Sequence, residues 1–117
     1  MSSQISGIID KNHDPIDAIK ATFPPGSMTG APKIAAMKNI AHNEKINRNL
    51  YSGTIGFISQ NHTNLSVVIR TLIIKDNDYQ FQVGGAITHD SNPQKELEET
   101  YHKAKALQQI IGVKSTG

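Results

Sequence analysis

Three residues near the end of the chain have side chains at a spacing that suits metal binding. Glu96, Glu99 and Lys103 are spaced i, i+3 and i+7, so on a helix they project from one face. Two carboxylates on one face offer the oxygen ligands that Mg²⁺ prefers. The alternative is a solvated face on which Glu99 and Lys103 form a surface ion pair. The spacing alone leaves both interpretations open.

A glycine-rich segment lies in the first third of the chain. Gly26–Lys33 reads GSMTGAPK and combines two glycines, two hydroxyl residues and a lysine before an apolar helix-like stretch. Free N–H groups and the helix dipole at such a start favour an anion. The alternative is a plain turn capped by Thr29. The segment is not a Walker phosphate loop, because the GxxxxGK[ST] spacing is absent.

A single charge interrupts an apolar strand-like segment. Arg70 lies within LSVVIRTLII, and a charge there must face solvent or meet a partner. It would either pair with a substrate carboxylate in a bidentate way or act as an edge charge that discourages aggregation. Downstream, Gly84 and Gly85 end another strand-like segment, where a ligand can approach the backbone closely.

Caps, turns and β-branched runs predict the elements that must position these residues. Asp14-Pro15 and Asn92-Pro93 each pair a capping side chain with a proline suited to the first helical position. A further helix is predicted to begin near Thr29–Pro32, and the last helix is predicted to run from Pro93 to Ile111. The middle helix is expected to bury Ile34, Met37 and Ala41. The predicted strands are Tyr51–Ser59, Leu65–Ile74 and Tyr79–Thr88.

This order of elements predicts an α+β fold. Short turns join the three strands, which indicates an antiparallel β-meander with flanking helices. The chain has 117 residues, which is enough for one small domain. We divide it into residues 1–112 and a tail of residues 113–117.

Composition excludes several classes of function. Twelve basic and ten acidic residues are scattered without interleaved aromatics, which excludes a nucleic-acid-binding pattern. The chain has no cysteine and no apolar run long enough to span a membrane. The first residues, MSSQISGIID, lack the pattern of a signal peptide. We therefore expect a cytoplasmic protein without a nucleic-acid or membrane partner.

Five motifs in one order resemble the chorismate-binding enzyme family, which includes aminodeoxychorismate synthase and anthranilate synthase. They are FPPGSMTGAPKIAAM, YSGTIGF, IRT, GGAITHDS and ELEETYHKAKAL. The resemblance extends from about Ser3 to Leu107. It implies that the chain is the C-terminal portion of a catalytic domain with two large β-sheets flanked by helices.

The resemblance also implies roles for individual residues. Tyr51 and Arg70 would bind the enolpyruvyl carboxylate of chorismate. The backbone of Gly84–Ala86 would meet the ring carboxylate, and Glu99, helped by Glu96, would bind Mg²⁺. Lys103 and Thr29 are the predicted catalytic residues: Lys103 would lie beside this site and Thr29 at the pocket wall. Chorismate is a dianion, and its burial calls for cations and backbone donors of this kind.

Some positions depart from the family pattern. Phe57 replaces a tyrosine, Ala86 stands where many members have glycine, and Ala35 stands where many have arginine. The histidine of an HxVS motif, a second glutamate for Mg²⁺ and a PIxGT segment are expected upstream of this sequence. We therefore expect the isolated chain to be inactive and prone to associate, because its site is incomplete.

The resemblance favours one branch of the family. The pattern Gly84-Gly85-Ala86 is more similar to aminodeoxychorismate synthase component I, of folate biosynthesis, than to anthranilate synthase component I, of tryptophan biosynthesis. Both take ammonia from a glutamine amidotransferase subunit, so such a partner is implied. A non-catalytic chorismate-binding module or a degenerate fragment is the alternative of a different class.

Overall fold

The computed structural model describes residues 4–112, which form a mixed α+β arrangement. Four helical segments and four short strands follow one another along the chain. The helices are α1 (Pro15–Thr22), the single turn α2 (Gly26–Thr29), α3 (Lys33–Asn43) and α4 (Pro93–Ile110). The strands are β1 (Thr54–Ile58), β2 (Thr63–Val67), β3 (Ile73–Lys75) and β4 (Asp78–Gln80). The predicted tail, residues 113–117, lies outside the described residues.

The two predicted helix starts are confirmed in their capping contacts. The Asp14 carboxylate accepts a hydrogen bond from the Asp17 N–H at 2.9 Å, and the Asp17 carboxylate accepts from the Asp14 N–H at 3.3 Å. This reciprocal pair satisfies two otherwise free donors at the start of α1. At the start of α4, Asn92 Oδ1 accepts hydrogen bonds from the backbone N–H groups of the second and third helical residues. Side chains next to the helix thus determine where each helix begins.

The predicted three-stranded meander is wrong, because the strands form two separate hairpins. β1 pairs with β2 and β3 pairs with β4, each pair antiparallel. The segment predicted as one strand, Leu65–Ile74, is divided at Arg70, whose φ of 51° is incompatible with a β ladder. Residues 81–88 continue from β4 without a ladder partner in the described part of the chain. The mixed α+β class is confirmed.

The chain buries little of its apolar surface. Among residues 4–112, the buried residues are Val68, Ala104 and Ser52. The predicted buried face of α3 is wrong: Ile34 is 65% exposed, and Met37 and Ala41 are exposed as well. No layer of residues 4–112 covers that side of the helix. The radius of gyration is 17.1 Å, whereas a compact domain of this length has about 13 Å.

None of the helices among residues 4–112 has the length and apolar composition that crossing a membrane requires.

Candidate functional site

A cleft of about 820 Å³ lies where five parts of the chain approach one another. They are α2, the loop after α3, the stretch that follows β2, residues 82–86, and one side chain of α4. Six of the nine predicted site residues line this cleft: Tyr51, Arg70, Gly84, Gly85, Ala86 and Lys103. They come from positions up to fifty-two residues apart in sequence (51 to 103), so the fold brings the separate motifs together.

Arg70 reaches the cleft because the chain turns sharply after β2. Its backbone is left-handed, which is uncommon for a residue other than glycine and marks a position held by its surroundings. Val68, two residues earlier, is buried and exchanges backbone hydrogen bonds with Ser52 and Gly53 at 3.0 Å. The Arg70 side chain is exposed and has no ion pair or hydrogen bond with residues 4–112. It is therefore free to meet an anionic ligand.

The glycine pair approaches other site residues as closely as its missing side chains allow. A Cβ at Gly84 would lie 3.0 Å from the Tyr51 hydroxyl oxygen, and a Cβ at Gly85 would lie 3.2 Å from Glu96 Oε2. Any larger residue at either place would press on those groups. The glycines thus bring the backbone of residues 84–85 next to Tyr51 on one side and Glu96 on the other.

Lys103 connects the metal-ligand candidates on α4 to the cleft. Its ammonium donates to the Gly84 carbonyl oxygen at 3.1 Å and lies 2.7 Å from Glu99 Oε1. The hydrogen bond from Lys103 to the Glu99 carboxylate, followed by the Lys103 charge, holds the pKa of the Glu99 carboxyl below its usual range. Glu96 Oε1 accepts from the Ser91 hydroxyl at 2.8 Å. The two carboxylates therefore adjoin the cleft through Lys103 and Gly85, although neither lines it.

Some residues of the GSMTGAPK segment line the cleft, and others make hydrogen bonds to the backbone of neighbouring elements. Ser27 and Met28 line the cleft, whereas Thr29 does not. The Thr29 hydroxyl donates to the Pro25 carbonyl at 3.4 Å, and the Lys33 ammonium donates to the Thr22 carbonyl at 3.1 Å, at the end of α1. Lys33 thus satisfies a free carbonyl at a helix end instead of pointing to an anion.

Sequence reasoning missed several lining residues in the polar loop after α3. Glu44, Lys45 and Arg48 all line the cleft, as does Gln82 beyond β4. Arg48 binds both carboxylate oxygens of Glu44, with Nε–Oε2 at 2.7 Å. The available signal was the i, i+4 spacing of an acid and an arginine, which predicts an ion pair but not its position beside a ligand site.

The Glu44–Arg48 pair predicts a pH-dependent change in the cleft wall. The hydrogen bond from Arg48 is the main cause that lowers the pKa of Glu44, outweighing partial burial. A carboxyl whose pKa is lowered on folding stabilises the folded state at pH values above its ordinary pKa of 4.5. This contribution is lost as the pH falls through the lowered pKa. Because Glu44 is 41% exposed, the loss is on the order of 0.5 kcal/mol.

NMR titration of the Arg48 Nε–H resonance tests this expectation. The resonance should move with a midpoint below pH 4.5, and Glu44→Gln should remove the movement. Glu99→Gln is the matched control, because Glu99 pairs with Lys103 and not with Arg48. A resonance that titrates identically in the Glu44→Gln variant would contradict the assignment.

Comparison with known proteins matches the sequence of this chain to one enzyme family. A family model described as chorismate binding enzyme matches residues 1–109. The chain is 42% identical over 112 residues to anthranilate synthase component 1 of Aquifex aeolicus (strain VF5), covering 95% of this chain and 23% of that protein. It is 42% identical over 107 residues to aminodeoxychorismate synthase, chloroplastic, of Arabidopsis thaliana, covering 91% of this chain and 12% of that protein. The chain spans less than a quarter of the length of either relative.

Proposed function

Because this chain belongs to the chorismate-binding enzyme family, we propose that it is the C-terminal part of an enzyme that aminates chorismate with the help of Mg²⁺. The observation that supports this proposal is the shared cleft of Tyr51, Arg70, Gly84 and Lys103. The chain has an expanded shape and many exposed apolar side chains. Both features support the proposal that further chain completes the catalytic domain. We propose that the isolated chain is catalytically inactive. We also propose that the enzyme is cytoplasmic.

The charges of the cleft suit a dianionic substrate. The cleft contains the cations Lys45, Arg48, Arg70 and Lys103 and one carboxylate, Glu44. Arg70 is uncommitted in the described structure, and its planar guanidinium can bind a carboxylate through two parallel hydrogen bonds. We assign the enolpyruvyl carboxylate to Arg70 and Tyr51, and the ring carboxylate to the backbone of Gly84–Ala86.

Glu96 and Glu99 are the residues proposed to hold Mg²⁺. Their donor type fits, since both offer carboxylate oxygens, and Glu96 Oε2 faces the glycine backbone proposed to meet the ring carboxylate. Residues 4–112 contain no cluster of three acidic or histidine ligands, so further ligands must come from substrate, water or additional chain. Mg²⁺, when bound, would neutralise the ring carboxylate and stabilise charge as the ring hydroxyl departs.

Lys103 and Thr29 have supporting parts in this proposal. Lys103 holds Glu99 on one side and the Gly84 carbonyl on the other, so it orients both the metal ligand and the glycine backbone. Thr29 ends the single turn whose residues Ser27 and Met28 line the cleft. We propose that Thr29 supports this wall of the cleft, because its hydroxyl donates to the Pro25 carbonyl at the start of the turn.

We propose 4-amino-4-deoxychorismate as the product, with a glutamine amidotransferase subunit as the source of ammonia. The Gly84-Gly85-Ala86 pattern supports this branch, and anthranilate is the alternative product. Identity does not separate the branches, since it is 42% to a relative of each kind. Sequencing the DNA upstream distinguishes them: the resemblance associates lysine in PIxGT with the first product and alanine with anthranilate.

A chimeric enzyme tests the proposed activity. The 112 matching residues of the Aquifex relative are replaced by those of this chain, and chorismate consumption is measured with ammonium salt and Mg²⁺. We expect turnover by the chimera, and no turnover by the 117-residue chain. Because ammonia is supplied directly, no amidotransferase is needed.

A truncated relative without this segment is the control, and it should be inactive. A folded chimera that neither binds nor consumes chorismate would refute the proposed function and favour a degenerate fragment. Binding without consumption would favour a non-catalytic chorismate-binding module.

A further inference from the structure

The Arg48 guanidinium is almost fully occupied by contacts within the protein. Nε donates to Glu44 Oε2, Nη2 donates to Glu44 Oε1, and Nη1 donates to both the Met28 carbonyl and the Ser52 hydroxyl at 3.1 Å. These bonds use four of the five N–H groups that an arginine carries. The carboxylate of Glu44 also balances its charge. Little donor capacity or net charge is left for a ligand, although Arg48 lines the cleft.

These contacts join walls of the cleft that are distant in sequence. Met28 belongs to α2, whereas Ser52 and Tyr51 belong to the turn before β1. The guanidinium carbon lies 5.8 Å from the centre of the Tyr51 ring, within the range of a cation–π contact. One side chain therefore holds both the Met28 wall and the Tyr51 wall.

The same contacts reach the segment that ends in Arg70. Ser52, which accepts from Arg48, is buried and has a left-handed backbone with φ of 66°. Its N–H donates to the Val68 carbonyl at 3.0 Å, and the Val68 N–H donates back to the Gly53 carbonyl at 3.0 Å. A shift of Ser52 would therefore move Val68 and the turn at Arg70 that follows it.

We propose that Arg48 is a positioning residue, which sets the relative placement of Met28, Tyr51 and Arg70 without contacting the substrate. The inference rests on the proposed function only for the identity of the ligand. It differs from a simple charge role, because a lysine would retain the positive charge but could not bind Glu44, Met28 and Ser52 in one planar arrangement. Arg48→Lys and Arg48→Gln should therefore have similar effects.

Two measurements test this inference: two-dimensional ¹H–¹⁵N NMR of the full 117-residue chain without ligand, and isothermal titration of the chimeric enzyme that carries it with chorismate and Mg²⁺. Before ligand is added, both Arg48 variants should shift the amide resonances of Met28, Ser52 and residues 68–70. The dissociation constant should rise about tenfold in both, because small misplacements of binding groups are costly. The dependence of affinity on salt should stay as in the parent chimera, since no ligand contact is lost.

Glu44→Gln keeps Arg48 and removes only the charge of one partner. We expect it to raise the dissociation constant less than the Arg48 variants do. It therefore tests the inference even if an Arg48 variant fails to fold. Lys38→Gln, an exposed cation of α3 away from the cleft, is the matched control and should change neither shifts nor affinity. Parent-like affinity in Arg48→Lys, or a weakened salt dependence in Arg48→Gln, would overturn the inference and make Arg48 a ligand contact. If the parent chimera does not bind chorismate, the proposed function fails, whereas the amide shifts of the full chain still decide whether Arg48 positions Met28, Ser52 and residues 68–70.

Discussion

Replacing Arg70 with alanine in the chimeric enzyme is expected to weaken chorismate binding by about 2–5 kcal/mol, or roughly thirtyfold or more. Arg70 lines the cleft and has no partner among residues 4–112, so a carboxylate would take its full hydrogen-bonding capacity. This magnitude holds for a pair that the rest of the catalytic domain buries, because removing Arg70 then leaves a buried carboxylate without its counter-charge. Isothermal titration with chorismate and Mg²⁺ measures the loss directly.

Two further variants sharpen the Arg70 experiment. Arg70→Lys keeps the charge but loses the bidentate geometry, so its affinity should lie between those of the parent and the alanine variant. Lys75→Ala removes an exposed cation of β3 outside the cleft and should leave affinity within twofold. An Arg70→Ala variant that binds chorismate as tightly as the parent would refute the assigned carboxylate contact.

Gly56→Ala is expected to disrupt the β1–β2 hairpin. A Cβ at Gly56 would lie 2.0 Å from the Asn64 carbonyl oxygen and 2.9 Å from the Leu65 Cα, and both are backbone atoms of the paired strand. Backbone cannot rotate away as a side chain can, so the strands must separate. The expected cost is about 3 kcal/mol, at the upper end for overpacked sites. Cross-strand NOEs of the full chain and its urea unfolding midpoint report the change.

The hairpin variant should also affect the cleft, because β2 leads directly into Val68 and Arg70. In the chimera, Gly56→Ala is therefore expected to raise the KM for chorismate as well. Gly26→Ala is the matched control, since a Cβ there meets nothing within 4 Å, and it should be neutral or stabilising by about 0.5 kcal/mol. Intact cross-strand NOEs and an unchanged midpoint in Gly56→Ala would show that the strands can adjust around a methyl group.

Local chemistry made the helix ends and turns predictable from sequence. The caps at Asp14 and Asn92 depend on residues within three positions of one another, as does the short turn predicted between the second and third strands, which contains Asp76. The start of α4 was predicted at its observed residue, Pro93, and its observed end is within one residue of the prediction. The same reasoning failed for the meander, because the pairing of strands depends on where the chain bends. That bend at Arg70 depends on contacts between Ser52 and Val68, sixteen positions apart.

The order of the motifs and the types of their side chains were enough to predict the family to which the chain belongs. Six of the nine predicted site residues proved to line one cleft, although their individual roles stay predictions. Three contacts could be known only from the folded chain: Lys103 donates to the Gly84 carbonyl, Lys33 donates to the end of α1, and Arg48 donates to Met28 and Ser52. The physical reason is that a local pattern specifies what a residue can bind, whereas long-range packing specifies which partner comes within reach.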